Sequence, residues 1–252
     1  GAALASTLSM LIGGAIAVWY MFFAARLLRP IRLKWSRRSL LYSVRNIGYQ
    51  CTIGLSALMG ECTMAVLALV GNYVFGTYMG DAGIGAFGIA CYYTPFVFMI
   101  GNAVAQSAQP IVSFNYGSGD SSRVHSTLRV ALLAALGCGA TVSAAFVLLP
   151  RELVELFIVS SEAAFPLAVK GFPLIALSFV FFIVNLTCIG YFQSIERVRP
   201  AMIFALLRGL LLVPSFVVMP MAFGDTGIWL ALAVSEMLTT ACIVGYMTIR
   251  TS

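Results

Sequence analysis

Charge is what this sequence has least of. Only 10% of its 252 residues are Asp, Glu, Lys or Arg, against about 25% in a soluble domain. It has a single histidine, His125. There is no HExxH, no GxSxG, no Walker loop and no pair of carboxylates at catalytic spacing. Those absences argue against an enzyme and leave no cofactor motif. The Gly-containing stretches "GNYVFG" and "GSGD" are weak signals outside any strand–helix context. The six cysteines (Cys51, Cys62, Cys91, Cys138, Cys188 and Cys242) show neither CxxC nor metal-ligand spacing. All lie in or beside apolar runs, and they are expected to be small buried hydrophobes. No strong internal repeat and no low-complexity tract stands out. The first apolar run lacks the basic leader of a signal peptide and begins Gly-Ala-Ala, so a start inside a longer protein is expected.

What the sequence does have is hydrophobic length. Apolar residues make up 61% of it, with a mean hydropathy of +0.98. Apolar runs cover 2–25, 47–79, 83–116, 128–150, 165–192, 201–221 and 226–248. Each reaches the roughly 20 residues that one membrane crossing needs. Backbone groups cannot stay unpaired in lipid, so runs of this length are predicted to be helices. The fold class is therefore an all-α polytopic membrane protein of about seven spans. The runs at 47–79 and 83–116 exceed a vertical crossing and must tilt, kink or project. Gly60, Pro95 and Pro110 are candidate kink points.

Charge, though scarce, is distributed unevenly. Arg26, Arg29, Arg32, Lys34, Arg37, Arg38, Arg45, Arg123, Arg129, Arg197, Arg199 and Arg250 all fall on one side of such a seven-span path. The other side holds Asp81, Glu152, Glu155, Glu162 and Asp225, with only Arg151 and Lys170. The positive-inside rule then places the N-terminus outside and the C-terminus in the cytoplasm of a cell (inner or plasma) membrane. The net charge of +6 is accounted for by those loops and needs no nucleic acid partner. The segment 26–46 interleaves bases with Leu27, Ile31, Trp35 and Leu40, a composition suited to the inner surface of a bilayer.

Polar residues inside the runs are the informative ones, because an ionisable group at bilayer depth is costly unless paired, neutral or wet. Glu61, Arg208 and Glu236 qualify. Asn72 lies eleven residues after Glu61, close to three helical turns, so the two share a face. A carboxyl at Glu61 could exchange a proton or ligate a small cation; the bland alternative is a protonated Glu bonded to a neighbouring helix. Asn102, Gln106, Gln109 and Ser113 follow an i, i+4, i+7, i+11 pattern along one helical face. Such a stripe is either glue between helices or the wall of a polar cavity. Arg208 either snorkels to the interface or pairs with an acid in the bundle, for which Glu236 is a candidate. Asn185 and Gln193 add polar groups to the fifth run, and His125 is expected to be a solvated loop residue.

"QSAQPIVSFNYGSGDSSRV", from Gln106 to Val124, resembles the second-half signature of multidrug and toxic compound extrusion (MATE) transporters. "GLSALMGE" followed by Asn72, "LLPRELVELF", "GYFQSIERVRPAMIFALLRGLLLVPS" and "GDTGIWLALAVSEMLT" resemble further family segments in the same order. The resemblance covers 47–248. It implies that 1–25 is the last helix of an N-terminal lobe missing from this chain, 26–46 the basic inter-lobe linker, and 47–252 a six-helix C-terminal transport lobe. It implies export of drugs or toxic compounds, organic and often cationic, in exchange for Na⁺ or H⁺ by alternating access between two lobes. It matches Glu61 to the family's coupling acid, with Asn72 beside it, and places Asn102, Gln106 and Gln109 on the substrate cleft, where Asn185 and Glu236 are expected too. Beyond the coupling ion it implies no cofactor and no bound metal.

Two features depart from the family pattern. The first five helices and their cation-site acid are absent, so the chain by itself is expected to be an inactive fragment. The fifth run carries Asn185 where some relatives carry an Asp. The alternative within the same superfold is a flippase for lipid-linked oligosaccharides or polysaccharides. That activity calls for more bases on the cleft, and Arg208 is the one candidate. A retinal protein would need a Lys in the last helix, and 226–248 has none.

Overall fold

The computed structural model describes residues 2–24 and 37–251. Every regular element among them is helical, as the need to pair the backbone internally in lipid requires. Helix α1, Ala2–Trp19, runs on into the π-helical turn Tyr20–Ala24. Arg37–Gly117 is divided at Gly80 into α2 (37–79) and α3 (81–117). Then come α4, Ser121–Leu148, the short α5, Pro150–Glu155, and α6, Ala164–Ser194. Val198–Thr251 is divided at Gly224 into α7 (198–223) and α8 (225–251). The seven long helices coincide with the seven apolar runs. At 1.5 Å per residue, the 28 residues of α4 span about 42 Å, more than a bilayer core. Helical structure runs through the candidate kink points Gly60, Pro95 and Pro110, and the backbone angles leave the helical range at Gly80.

The chain packs as two units, 1–50 and 51–252. In the first, Trp19 stacks on Phe23 with centroids 6.5 Å apart. Most of the expected linker 26–46 lies outside the described residues; its last ten, 37–46, are the opening turns of α2.

The reversals at Gly80 and Gly224 share one short motif. Gly80-Asp81-Ala82-Gly83-Ile84 recurs as Gly224-Asp225-Thr226-Gly227-Ile228. Gly80 has φ 64° and ψ −158°; Gly224 has φ 57° and ψ −138°. Positive φ with ψ far from the helical range is close to the backbone region open essentially to glycine alone. The second glycine clears the close approach that follows. A Cβ on Gly83 would meet the Phe75 carbonyl oxygen at 2.7 Å, and one on Gly227 would overlap the Met219 carbonyl. One glycine turns the chain and the other lets the returning helix pass.

Helix α6 is the centre of the bundle. In its most apolar stretch 67% of residues are buried, against 22–39% in the other spans. It packs parallel to α3 and α8 and antiparallel to α4. Gly139 of α4 lies on Val180 and Gly171 lies under Trp229 of α8, where any side chain would overlap. Phe75 stacks on Phe87 at 4.6 Å and meets Trp229 edge-on at 4.7 Å. Phe146 stacks on Phe172 at 5.1 Å, with Tyr93 and Phe179 edge-on to Phe146. Aromatic rings fill this part of the core while small residues let the helices close on one another.

The cysteines correct the expectation made for them. Only Cys188 is buried; Cys51, Cys62 and Cys242 are exposed, and all six are free. Periodicity shows that a cysteine lies in an apolar helix, but not whether that helix face meets protein.

Candidate functional site

Helices α2, α3, α6 and α7 converge on a cavity of about 500 Å³. Glu61 and Gly60 enter it from α2, and Asn102, Gln106 and Gln109 from α3. Gln193, Gly190, Leu186 and Ile189 come from α6, and Ala205 from α7. The i, i+4, i+7 spacing puts the three α3 amides on one wall. Among the described lining residues Glu61 alone is ionisable. It is exposed and takes part in none of the ion pairs among the described residues.

At the Gln109–Gln193 end of the cavity, polar contacts join α3 to α6. Gln109 Nε2 donates to Gln193 Oε1 at 3.4 Å, and Ser113 Oγ donates to the Ser194 carbonyl at 3.2 Å. A Cβ on Gly190 would come within 3.0 Å of Ala105 Cβ, so glycine there lets the two helices approach. Below, Gly119 with φ 79° makes the turn after α3. Asp120 caps α4 by accepting from the Arg123 backbone N–H at 3.1 Å. The stretch "GSGD" is thus an interhelical turn.

Three of the expected site residues lie elsewhere. Asn72 is exposed and turns its amide onto its own helix, donating to the Ala68 carbonyl at 2.8 Å. A shared face with Glu61 does not bring it into the cavity, because eleven residues also separate the two by about 16 Å along the axis. Asn185 and Glu236, expected on the cleft, are buried in a network behind it. Arg208 Nε donates to both Glu236 oxygens at 3.1 Å, and Nη2 donates to Oε1 at 2.8 Å. Asn185 Nδ2 donates to Glu236 Oε2 at 2.7 Å and to its carbonyl at 3.0 Å. Thr240 Oγ1 donates to Asn185 Oδ1 at 2.8 Å. The Arg208 guanidinium sits 4.5 Å from the centre of the Phe182 ring. Of the two alternatives open for Arg208, the structure shows pairing. No buried side-chain polar atom among the described residues lacks a partner.

A second cavity, of about 450 Å³, opens beside the turn after α3, between Tyr116, His125, Tyr191, Arg197 and Tyr246. His125, expected in a loop, is exposed on the second turn of α4, its Nδ1 2.7 Å from the Ser121 carbonyl oxygen. These aromatic residues are far apart in sequence, which is why no motif announced this cavity. No cluster of three or more His, Cys, Asp or Glu that could hold a metal occurs among the described residues.

Comparison with known proteins agrees with this architecture. The Probable multidrug resistance protein NorM of Rhizobium meliloti (strain 1021) is 28% identical over 244 residues, which are 91% of this chain and 50% of that protein. The Multidrug export protein MepA of Staphylococcus saprophyticus is 25% identical, over 99% of this chain and 53% of its own length. Among solved structures, an outward-facing MATE family multidrug resistance transporter superposes with a TM-score of 0.81 at 20% identity, covering 99% of this chain and 55% of that one. A MOP superfamily transporter from Pyrococcus furiosus superposes with a TM-score of 0.82 at 19% identity, covering 99% of this chain and 56% of that one. The chain thus spans about half the length of the relatives it matches. The MatE family model matches residues 57–218, more than half of the chain, and the chain belongs to the MatE family.

Proposed function

We propose that this chain forms the C-terminal transport lobe of a multidrug exporter that couples the exit of organic, chiefly cationic, compounds to the entry of Na⁺ or H⁺. The observation that carries this reading is the convergence of one unpaired carboxyl, Glu61, with Asn102, Gln106 and Gln109 on a single cavity. A carboxylate with amide oxygens close by suits a hard monovalent cation or a proton, and it attracts an organic cation to the same space. Occupation by one then disfavours the other, which is the essence of exchange. A second lobe, supplied by the longer protein, is needed for the cavity to open alternately to the two sides.

The distribution of loop charge supports a cell membrane location with the C-terminus in the cytoplasm. Among the described residues the cavity has no basic lining residue, and Arg208 is held by Glu236; neither fact favours a flippase for anionic lipid-linked sugars.

The test uses the full-length protein containing this chain. Export of a fluorescent organic cation is measured from cells, natural sequence against Glu61→Gln, under a Na⁺ gradient and, separately, a pH gradient. Gradient-driven export that disappears in the variant, with membrane levels unchanged, supports coupling through Glu61. The gradient that drives the natural protein identifies the ion. Unchanged export in the variant removes Glu61 from the coupling role.

A further inference from the structure

The cavity described above has a charged pair directly behind its wall. Ala205 lines the cavity, and Arg208 follows one turn later on α7. Leu186 lines it too, and its neighbour Asn185 holds Glu236. Phe98 lines it, packs edge-on to Phe182 at 6.3 Å, and Phe182 carries the Arg208 guanidinium 4.5 Å from its ring centre. An arginine stays protonated in proteins. A permanent positive charge therefore lies one side-chain layer from a cavity whose own charge is Glu61.

We propose that Glu236 is a specificity-determining residue: by cancelling the Arg208 charge it keeps the cavity attractive to cations. The inference deepens the export reading and rests on it for the identity of the site. Arg208 and Glu236 are each 2% exposed, so little solvent screens them and an imbalance between them extends through the wall. The geometry is that of a closed pair. Both carboxylate oxygens and two guanidinium nitrogens are engaged, Asn185 takes up a remaining lone pair, and Thr240 fixes the Asn185 amide. A cluster needed only to join α6, α7 and α8 could use neutral amides throughout, and membrane helices commonly do. Full ionic compensation beside a cavity with one carboxyl has an electrostatic consequence that neutral glue lacks.

The experiment compares equilibrium binding of two fluorescent probes of similar size, one a monovalent aromatic cation and one a monovalent aromatic anion. The purified full-length protein is tested in natural form, as Glu236→Gln and as Arg208→Gln/Glu236→Gln. Elution as a single folded species is checked for each. In Glu236→Gln the Arg208 charge is uncompensated: the cation binds about tenfold more weakly and the anion about tenfold more tightly, so the ratio of their affinities falls about a hundredfold. The change for each probe is on the scale Coulomb's law gives for unit charges roughly 10 Å apart at an effective dielectric of about 20. The double variant, neutral at both positions, recovers the natural ratio. If Glu236→Gln does not fold, Glu236→Asn takes its place: it too is neutral, leaves the permanently charged Arg208 uncompensated and lowers the ratio below that of Arg208→Gln/Glu236→Asn. A ratio that stays constant across the variants, or affinities for both probes that fall in parallel without rescue in the double, overturns the proposal and leaves the pair a structural joint. A natural protein that prefers the anion defeats the export reading instead, while the direction of the shift between variants still decides the role of Glu236.

Discussion

Two carboxyls lie deep in apolar helices of this protein, and they have opposite surroundings. Glu61 on α2 is exposed to a cavity with amides around it and no ion pair among the described residues. Glu236 on α8 is sealed, with Arg208 and Asn185 on its carboxylate and Thr240 on the Asn185 amide. The difference teaches what each carboxyl is available to do. A carboxylate whose oxygens are already engaged by a guanidinium and an amide has no site left for a mobile cation. A carboxylate without such partners can take one up and release it. The exposed pair Arg151–Glu155, at 2.9 Å, shows a third situation. There Glu155 raises the guanidinium above its ordinary range, chiefly through the hydrogen bond, yet solvent screens the pair.

The comparison can be broken most sharply at Glu236. Replacing it by Leu leaves a buried guanidinium without a counter-charge, and thermal or denaturant unfolding of the full-length protein in detergent should show a loss of about 3–5 kcal/mol. A loss near zero would mean that Arg208 reaches water in the variant and that the two carboxyls differ less than their geometry indicates. A smaller effect is expected at the edge of the same network. Thr240→Val removes the hydroxyl that holds Asn185 and should cost about 0.6 kcal/mol, the average for a hydrogen bond between membrane helices. The smallest change in stability is expected at Glu61. Glu61→Gln should shift unfolding by less than about 0.5 kcal/mol, while gradient-driven export is lost. A large destabilisation there would assign Glu61 to structure and remove the contrast.

Much of this arrangement was legible before folding was considered. Seven helices follow from the length of seven apolar runs, and the stripe Asn102, Gln106, Gln109 follows from helical spacing. The spacing of Glu61 and Asn72 puts them on one helical face, but a face is a line along a helix and a cavity has depth. Asn72 stands three turns from Glu61 and bonds to its own helix. Asn185 and Glu236 were recognised as costly polar groups, and their destination was misjudged because a buried network and a polar cleft draw on the same residue types. The repeated Gly-Asp-x-Gly-Ile motif went unnoticed because five residues are too few to register as a repeat. Only the matching left-handed glycines and the matching close approaches make it visible.

The sequence by itself determined that this is a helical membrane protein, roughly where each span begins and ends, and which few residues would be expensive to bury. Those are local or compositional properties, set by the energy of placing a backbone and its side chains in an apolar medium. Which helix stands opposite which was decided only in three dimensions. The packing of α7 against α8 brings Arg208 to Glu236 across 28 residues of chain, and the convergence of α2 with α3 leaves Glu61 facing the amides. Pairing depends on distance in space, and no periodicity along a single helix encodes it.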